Sequence, residues 1–210
     1  MVKRLKRPKR VAHSFDRRIF LSASVPLPSR NPMYFDTADV VAIRDAVRAL
    51  TLVVIEENVQ LVFGGHPAIT PMVRLQLQQA GFPVAKKFVM FQSKFFRSDF
   101  PEDNEAFEQV ILTDVVESDR LKSLAYMRDQ MLSGRFLCGV FIGGMEGVEE
   151  EYGLFRRLHP SVPAFPVAST GAASEKIYRS DSSLPEKYPE LESEVSYINL
   201  MRGLIRLSHS

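Results

Sequence analysis

The chain has 210 residues, of which 45% are hydrophobic and 25% charged, a composition that suits one globular domain with a substantial core. No apolar run approaches the roughly 18 residues that cross a bilayer, and no secretory signal follows the N-terminus. The single cysteine, Cys138, excludes an intramolecular disulfide, and the histidines lack zinc-ligand spacing. We therefore expect a cytoplasmic protein without a membrane partner, a metal site or a cofactor.

The positive charge is concentrated at the N-terminus. The first ten residues carry six basic side chains and no acid: Lys3, Arg4, Lys6, Arg7, Lys9 and Arg10. The net charge is +2, so the remainder of the chain is mildly acidic. We predict a basic arm over residues 1–17, which is either a solvated leader or a contact to nucleic acid or another anionic surface. Residues 18–210 are predicted to form a single domain that ends in a helix.

Strand-like and helix-like segments alternate along the chain, which is typical of a three-layer, Rossmann-like α/β fold with a doubly wound, mainly parallel sheet. The predicted strands are, in chain order, 18–25, 59–63, 87–92, 110–116, 137–142 and 164–168. The predicted helices are 38–57, capped by Thr37, and then 67–79, 119–132, 147–158, 172–178 and 192–207. Residues 26–36, 95–107 and 180–190 are predicted to be loops.

Two helices have apolar stripes at helical spacing, and both stripes are expected to pack against the core. In the helix at 119–132 the stripe consists of Leu121, Leu124, Met127 and Met131. In the C-terminal helix it consists of Val195, Ile198, Met201 and Ile205, with Leu204 beside it. The C-terminal stripe also suits oligomerisation, although packing within the domain is the simpler expectation.

Small, polar or glycine-rich residues follow four of the predicted strands. Ligands of open parallel sheets bind beyond the carboxyl ends of the strands, where glycine allows close approach and helix N-termini attract anions. The predicted ligand-binding residues are Ser22, Ser24, Gly64, Gly65, His66, Thr70, Arg128, Gly143, Gly144, Met145, Glu146, Gly147, Ser169, Thr170 and Gly171. Neither Gly-Gly turn matches the phosphate-loop motif of nucleoside triphosphatases or the G-x-G-x-x-G motif of dinucleotide-binding domains.

The charges near these turns differ. The helix after Gly64-Gly65 starts without acids, whereas the helix after Gly143-Gly144 starts with four glutamates, Glu146, Glu149, Glu150 and Glu151. Carboxylates repel phosphate but accept hydrogen bonds from ribose hydroxyls or a base edge. We therefore place phosphate near Gly64-Gly65 or Ser169-Thr170-Gly171, and ribose or base near the glutamates. Arg128 is either a phosphate clamp or a surface arginine, and His66 is either a ligand contact or a simple loop residue.

The stretch from Gly143 to Tyr152, with Met127-Arg128 before it, resembles the signature of the LOG family of nucleoside-monophosphate phosphoribohydrolases. More broadly the chain resembles the SLOG superfamily of Smf/DprA and LOG-like Rossmann domains. The segments Gly64-Gly-His-Pro-Ala-Ile-Thr70 and Val167-Ala-Ser-Thr-Gly-Ala172 are similar to the branch found in bacterial conflict systems. Relatives in that branch sense NAD-derived signals, as in the Thoeris defence system.

The LOG resemblance implies that Arg128 and either Glu150 or Glu151 are catalytic residues if the protein is an enzyme. The glutamate is ambiguous because one extra residue separates Gly144 from Gly147. Val148 replaces the threonine of the LOG motif, and Ile142 replaces its proline. These differences alter the loop that carries the chemistry more than the cradle that binds a ligand.

Two functions follow from the sequence. The first is a sensor that binds an ADP-ribose-like or NAD-derived molecule and signals to an effector protein or through a homo-oligomer. The alternative is a phosphoribohydrolase that cleaves the N-glycosidic bond of nucleoside 5′-monophosphates. Nucleic-acid binding is expected only through the basic arm, as the Smf/DprA resemblance suggests.

Overall fold

The structure, a computed structural model, describes residues 17–57, 59–80, 84–100 and 107–208. The predicted basic arm therefore lies outside the described residues, except for Arg17. The described strands are β1 (Arg18–Ser24), β2 (Gln60–Gly64), β3 (Phe88–Ser93), β4 (Gln109–Thr113), β5 (Cys138–Gly143) and β6 (Ala164–Val167). They form one sheet in the order β4-β3-β2-β1-β5-β6, and every neighbouring pair is parallel.

Nine α-helices of the described residues surround this sheet. They are α1 (Pro32–Phe35), α2 (Val40–Glu56), α3 (Thr70–Ala80), α4 (Arg120–Met131), α5 (Glu146–Leu158), α6 (Ala172–Ser180), α7 (Ser183–Lys187), α8 (Glu190–Ser193) and α9 (Tyr197–Leu207). Short 3₁₀ turns lie at Val84–Lys87, Lys94–Asp99 and Ala168–Thr170. No helix among the described residues combines the length and apolar character that crossing a membrane requires.

Alternate residues of each strand point to opposite faces of the sheet, and helices cover both faces to form two cores. In β1, Ile19 and Leu21 join a core that contains residues of α2, α3 and α9, whereas Phe20 joins a second core with residues of α4, α5 and α6. Phe20, Phe141 and Phe155 cluster in that second core, with ring centroids 5.6 to 5.9 Å apart. The predicted three-layer, Rossmann-like α/β fold is confirmed.

The beginnings of two helices differ from the prediction. Thr37 does not cap α2; its hydroxyl donates to the carbonyl of Met33, and the carboxylate of Asp39 accepts from the Ala42 N–H at 2.9 Å instead. The helix predicted from Pro67 begins at Thr70, because the carbonyl of His66 first closes a turn with the N–H groups of Ile69 and Thr70.

The ends of the predicted elements also change. The fourth strand stops at Thr113 and not at residue 116, because Glu117 and Ser118 have positive φ and turn the chain into α4. The predicted loops contain the short helices α1 and α7. The single C-terminal helix predicted over 192–207 is two helices, α8 and α9, separated where the Glu194 carboxylate accepts from the Ser196 N–H.

In each of the two predicted apolar stripes, one residue is exposed to solvent. Leu121, at the start of α4, is 71% exposed, while Met127 and Met131 are buried as expected. Val195 is 77% exposed, because it lies before the first residue of α9. Met201, Leu204 and Ile205 of α9 are buried, so that helix is packed within the domain.

The strand order determines where a ligand can bind. The chain fills the sheet from β1 outward to β4 and then crosses back to place β5 on the other side of β1. Connections therefore leave the carboxyl ends of β1 and β5 in opposite directions, which opens a crevice between them. The turns after β1, β2 and β5 border this crevice.

Candidate functional site

A cavity of about 270 Å³ occupies the carboxyl edge of the sheet beside β1. It lies between the turns after β1 and β2 on one side and one face of α4 with the N-terminal part of α5 on the other. Its lining residues are Leu21, Ser22, Ala23, Ser24, Arg30, Gly64, Gly65, His66, Arg120, Leu121, Leu124, Met127, Arg128, Met145, Glu146, Gly147, Val148, Glu150 and Glu151. The cavity therefore combines apolar walls with three arginines and three glutamates.

Arg128, Glu151 and Ser22 form a connected network in this cavity. The Nε of Arg128 donates to Oε1 of Glu151 at 3.1 Å, and the Ser22 hydroxyl donates to Oε2 at 2.6 Å. The side chains of Arg128 and Glu151 are each only 15% exposed. Because both carboxylate oxygens accept from a donor, Glu151 is held in one position at the end of β1.

Glu150 occupies a different environment. It also pairs with Arg128, through Nη1, but its side chain is 61% exposed. The guanidinium lies close over Gly147, where a Cβ atom would come within 3.1 Å of Nη2. Of the two glutamates that the sequence left open, Glu151 is the one held inside the network, and Glu150 closes it from the solvent side.

Glu146 connects α5 to the segment before α1. Its carboxylate accepts from the Asn31 side-chain amide at 3.3 Å and lies 3.8 Å from the Arg30 guanidinium. One turn further along α5, Glu149 accepts from the Tyr34 hydroxyl at 2.6 Å and pairs with Lys176 of α6. The segment from Arg30 to Tyr34 is thereby tied across the first turn of α5, at one border of the cavity.

His66 follows the first Gly-Gly turn and lines the cavity. Burial and the nearby positive charge of Arg30 lower the pKa of its imidazole, so the neutral form prevails at neutral pH. Its Nδ1 accepts from the Ala68 N–H at 3.2 Å, which places the single proton of the neutral ring on Nε2. His66 can therefore offer a hydrogen-bond donor without adding a charge.

The N-terminus of α5 lacks a capping side chain. Met145 occupies the cap position and forms no side-chain hydrogen bond to the helix. An uncapped first turn directs its N–H groups at solvent or at a ligand. Glu146, on the same turn, makes that position better suited to a hydroxyl or a base than to phosphate.

The cavity does not include six of the predicted ligand-binding residues: Thr70, Gly143, Gly144, Ser169, Thr170 and Gly171. The hydroxyls among them have partners within the protein. Thr70 accepts from the His66 N–H, and Thr170 accepts from the Gly143 N–H and donates to the Val167 carbonyl. Ser169 accepts from the Tyr197 hydroxyl at 3.1 Å.

Sequence reasoning missed eight residues that line the cavity: Leu21, Ala23, Arg30, Arg120, Leu121, Leu124, Met127 and Val148. Arg120 carried a usable signal, because it begins the helix that follows a strand and so lies at the same edge as the glycine turns. Arg30 lies in a proline-rich loop, whose path over the sheet edge local patterns do not predict. Leu121 and Leu124 belong to the predicted core stripe of the helix, but they line the cavity.

A larger groove of about 430 Å³ lies along α8 and α9. It is lined by Glu190, Glu194, Asn199, Leu200, Gly203, Leu204, Arg206 and Leu207. None of these residues comes from a strand end or a glycine turn, so the smaller cavity is the better candidate despite its volume. Within the described ranges, no three His, Cys, Asp or Glu side chains lie close enough together to hold a metal ion.

One comparison with known proteins identifies the family of this chain. A comparison with curated proteins found no match. The family model of the SLOG cluster3 family matches residues 33–205, which include most of the sheet and most of the residues that line the cavity. The match covers well over half of the chain, and we conclude that the chain belongs to the SLOG cluster3 family.

Proposed function

We propose that this protein binds a nucleotide-derived small molecule in the cavity beside β1 and acts as a sensor in a bacterial defence or signalling system. The observation that carries the proposal is the pairing of two kinds of polar group at the crevice between β1 and β5. Glutamates suited to hydroxyls line one side, and a glycine turn with a neutral histidine lines the other. An ADP-ribose-like or NAD-derived molecule contains both complementary parts.

The two sides favour one orientation of the ligand. Ribose hydroxyls are expected to donate to Glu146 and Glu150, whose side chains are 46% and 61% exposed. The phosphate is expected near Gly64-Gly65, where Nε2 of His66 is able to donate and α3, the next helix, has no acidic residue in its first turn. The alternative phosphate position at Ser169-Thr170-Gly171 lies outside this cavity, so the proposal retains the first turn.

A phosphoribohydrolase activity is the second candidate, and the Arg128–Glu151–Ser22 network is the observation that favours it. Hydrolysis of an N-glycosidic bond passes through a transition state in which the sugar carries positive charge. A carboxylate fixed by two donors would stabilise that charge electrostatically. In this reaction the Glu151 carboxylate stabilises the positively charged sugar and the base leaves with the bonding electrons. Water then adds to the anomeric carbon, and its proton is transferred to the departing base.

One experiment separates the two functions. The protein is incubated with AMP, NAD, ADP-ribose and cyclic ADP-ribose, and mass spectrometry is applied to the retained and the free fractions. A sensor retains one compound unchanged. A phosphoribohydrolase releases free base and ribose 5-phosphate, which would contradict the sensor proposal. If no compound is retained or cleaved, binding of these nucleotide classes is contradicted as well.

A variant pair assigns the outcome to the cavity. Arg128→Ala is expected to abolish retention, because it removes the cation that holds Glu150 and Glu151 in place. Arg157→Ala, which changes an exposed arginine outside the cavity, is the matched control and is expected to retain the ligand. If the protein is a phosphoribohydrolase, Glu151→Gln is expected to bind substrate without turnover.

A sensor also needs an output, for which we propose an effector protein or self-assembly of this chain. Ligand-dependent change in mass, measured by light scattering, tests self-assembly directly. Nucleic-acid binding is proposed only for the basic arm. Deletion of residues 1–10 is expected to remove any such binding, which would weaken steeply with salt.

A further inference from the structure

The charges in the cavity are unevenly compensated. Arg128 is balanced by Glu150 and Glu151, and its guanidinium donates to both carboxylates. Arg30 lies 3.8 Å from the carboxylate of Glu146. Every glutamate that lines the cavity is thus committed to one of these two arginines.

Arg120 is the remaining arginine of the cavity, and it forms no ion pair within the described ranges. Its guanidinium carbon lies 5.8 Å from the centre of the Phe96 ring, which supports the side chain without neutralising it. The acids that precede it in the chain have other partners, since Asp119 caps α4 at the Lys122 N–H and Glu117 pairs with the Lys122 amine. Arg120 therefore provides an uncompensated positive charge at the cavity mouth.

Arg120 and Arg128 lie at opposite ends of one face of α4. They are eight residues apart, which corresponds to a rise of about 12 Å along the helix. Between them the same face presents apolar side chains to the cavity, namely Leu121, Leu124 and Met127. A ligand that lies along α4 thus meets a carboxylate-bearing end, an apolar floor and a cationic end.

We infer that Arg120 binds a diphosphate-type anionic group of the ligand, and that Arg128 serves mainly to hold the carboxylates that contact its sugar. This inference rests on the proposed function and specifies its substrate class. A group with two phosphates carries more charge and reaches further from the sugar than a monophosphate. The cavity is accordingly specific for nucleoside diphosphate derivatives over nucleoside monophosphates.

Inorganic pyrophosphate and ADP-ribose are the probes, and AMP is the monophosphate for comparison. The binding of all three compounds to the wild-type protein, Arg120→Ala and Arg120→Lys is measured by isothermal titration calorimetry at low salt, with Arg157→Ala as the exposed-arginine control. Arg120→Ala is expected to weaken both probes by about tenfold or more, the effect of losing one charge-assisted hydrogen bond. Arg157→Ala is expected to change them less than twofold, and Arg120→Lys to restore part of the affinity.

The inference is overturned if the wild-type protein does not bind pyrophosphate, or if Arg120→Ala binds both probes as tightly as the wild type. It is also overturned if AMP binds more tightly than ADP-ribose, or loses as much affinity in Arg120→Ala. The proposed function fails separately. If pyrophosphate binding depends on Arg120 but no nucleotide is retained, the anion site stands and the nucleotide sensor does not.

Discussion

The two Gly-Gly turns have the same dipeptide after a parallel strand, yet they need glycine for different reasons. At Gly143 and Gly144 the backbone has φ values of +55° and +93°, a region that side chains disfavour. At Gly64 and Gly65 no positive φ occurs. In this turn only Gly65 is sterically constrained, because a Cβ at that position would lie 2.5 Å from the side-chain amide nitrogen of Gln92.

The turn after β5 shapes the fold, whereas the turn after β2 borders the cavity. Gly143 and Gly144 are buried, their added Cβ atoms would collide with Ile43 and Val148, and neither lines the cavity. Gly64 and Gly65 are partly exposed and do line it. An identical motif in sequence thus borders the cavity at one strand, whereas at the other strand it determines the path of the chain into α5.

The largest expected effect is on the second turn. Gly144→Ala combines a left-handed backbone with a Cβ that would lie 2.2 Å from Val148 Cγ2. We expect the free energy of unfolding to fall by about 3 kcal/mol, the sum of backbone strain and overpacking, measured by urea denaturation.

Gly153→Ala is the matched control within α5, because nothing lies within 4 Å of the added Cβ. It is expected to stabilise the protein by about 0.5–1 kcal/mol, since alanine favours a helix over glycine. Equal stability of the two variants would contradict the conformational role of Gly144.

The first turn offers a smaller and more local contrast. Gly65→Ala is expected to destabilise the protein by about 1–2 kcal/mol, because the new methyl group displaces the buried Gln92 side chain. Gly64→Ala is expected to change stability by less than about 0.5 kcal/mol. Its Cβ would make ordinary contact at 3.8 Å with Met127 and Met131. Similar urea midpoints for the two variants would contradict the steric constraint at Gly65, because the Gln92 side chain would then move away from the new methyl group at little cost in free energy.

The glutamates of α5 provide a third contrast, measured by double-mutant cycles. We expect a coupling energy of about 1 kcal/mol between Arg128 and Glu151, since both side chains are only 15% exposed. Coupling between Arg128 and Glu150 is expected to be below about 0.5 kcal/mol, because Glu150 is 61% exposed. Stronger coupling to Glu150 would reverse our assignment of the internal carboxylate.

The smallest effect concerns pH. Because the pKa of His66 is lowered in the folded protein, the unfolded chain binds its proton more readily. The stability that neutral His66 contributes is complete above its unfolded pKa of about 6.5 and decreases as the pH falls below that value. His66→Gln is expected to lose less stability than the wild type between pH 7 and pH 5. Parallel pH profiles for the two proteins would contradict the shifted pKa.

The fold was predictable because its signals are local. Each strand is a short apolar run, and the alternation of strands and helices implies a parallel sheet whose carboxyl edge gathers the turns. The choice between Glu150 and Glu151 was not predictable, since it depends on the rotation of α5. That rotation is determined by the packing of Val148 and Phe155 into the core. Leu121 was misassigned because periodicity cannot show where the core ends along a helix.

The cavity itself depends on contacts between distant segments. Arg30 and Glu146 are far apart in sequence, and the loop that joins β1 to α2 brings them together. The turn at Ser169-Thr170-Gly171 has the composition of a ligand cradle, but the Thr170 hydroxyl is used to hold Gly143. Composition identifies turns that are able to bind a ligand, and only tertiary contacts show which polar groups remain available.

The central claim, that a nucleotide derivative binds beside β1, is tested most directly by NMR of methionine methyl groups. Met127 and Met145 line the cavity, whereas Met201 of α9 is buried in the core and does not line it. On titration with ADP-ribose, we expect shifts at Met127 and Met145 that saturate together, with Met201 unchanged. Shifts confined to Met201, or no shift at any of the three at saturating ligand, would contradict it.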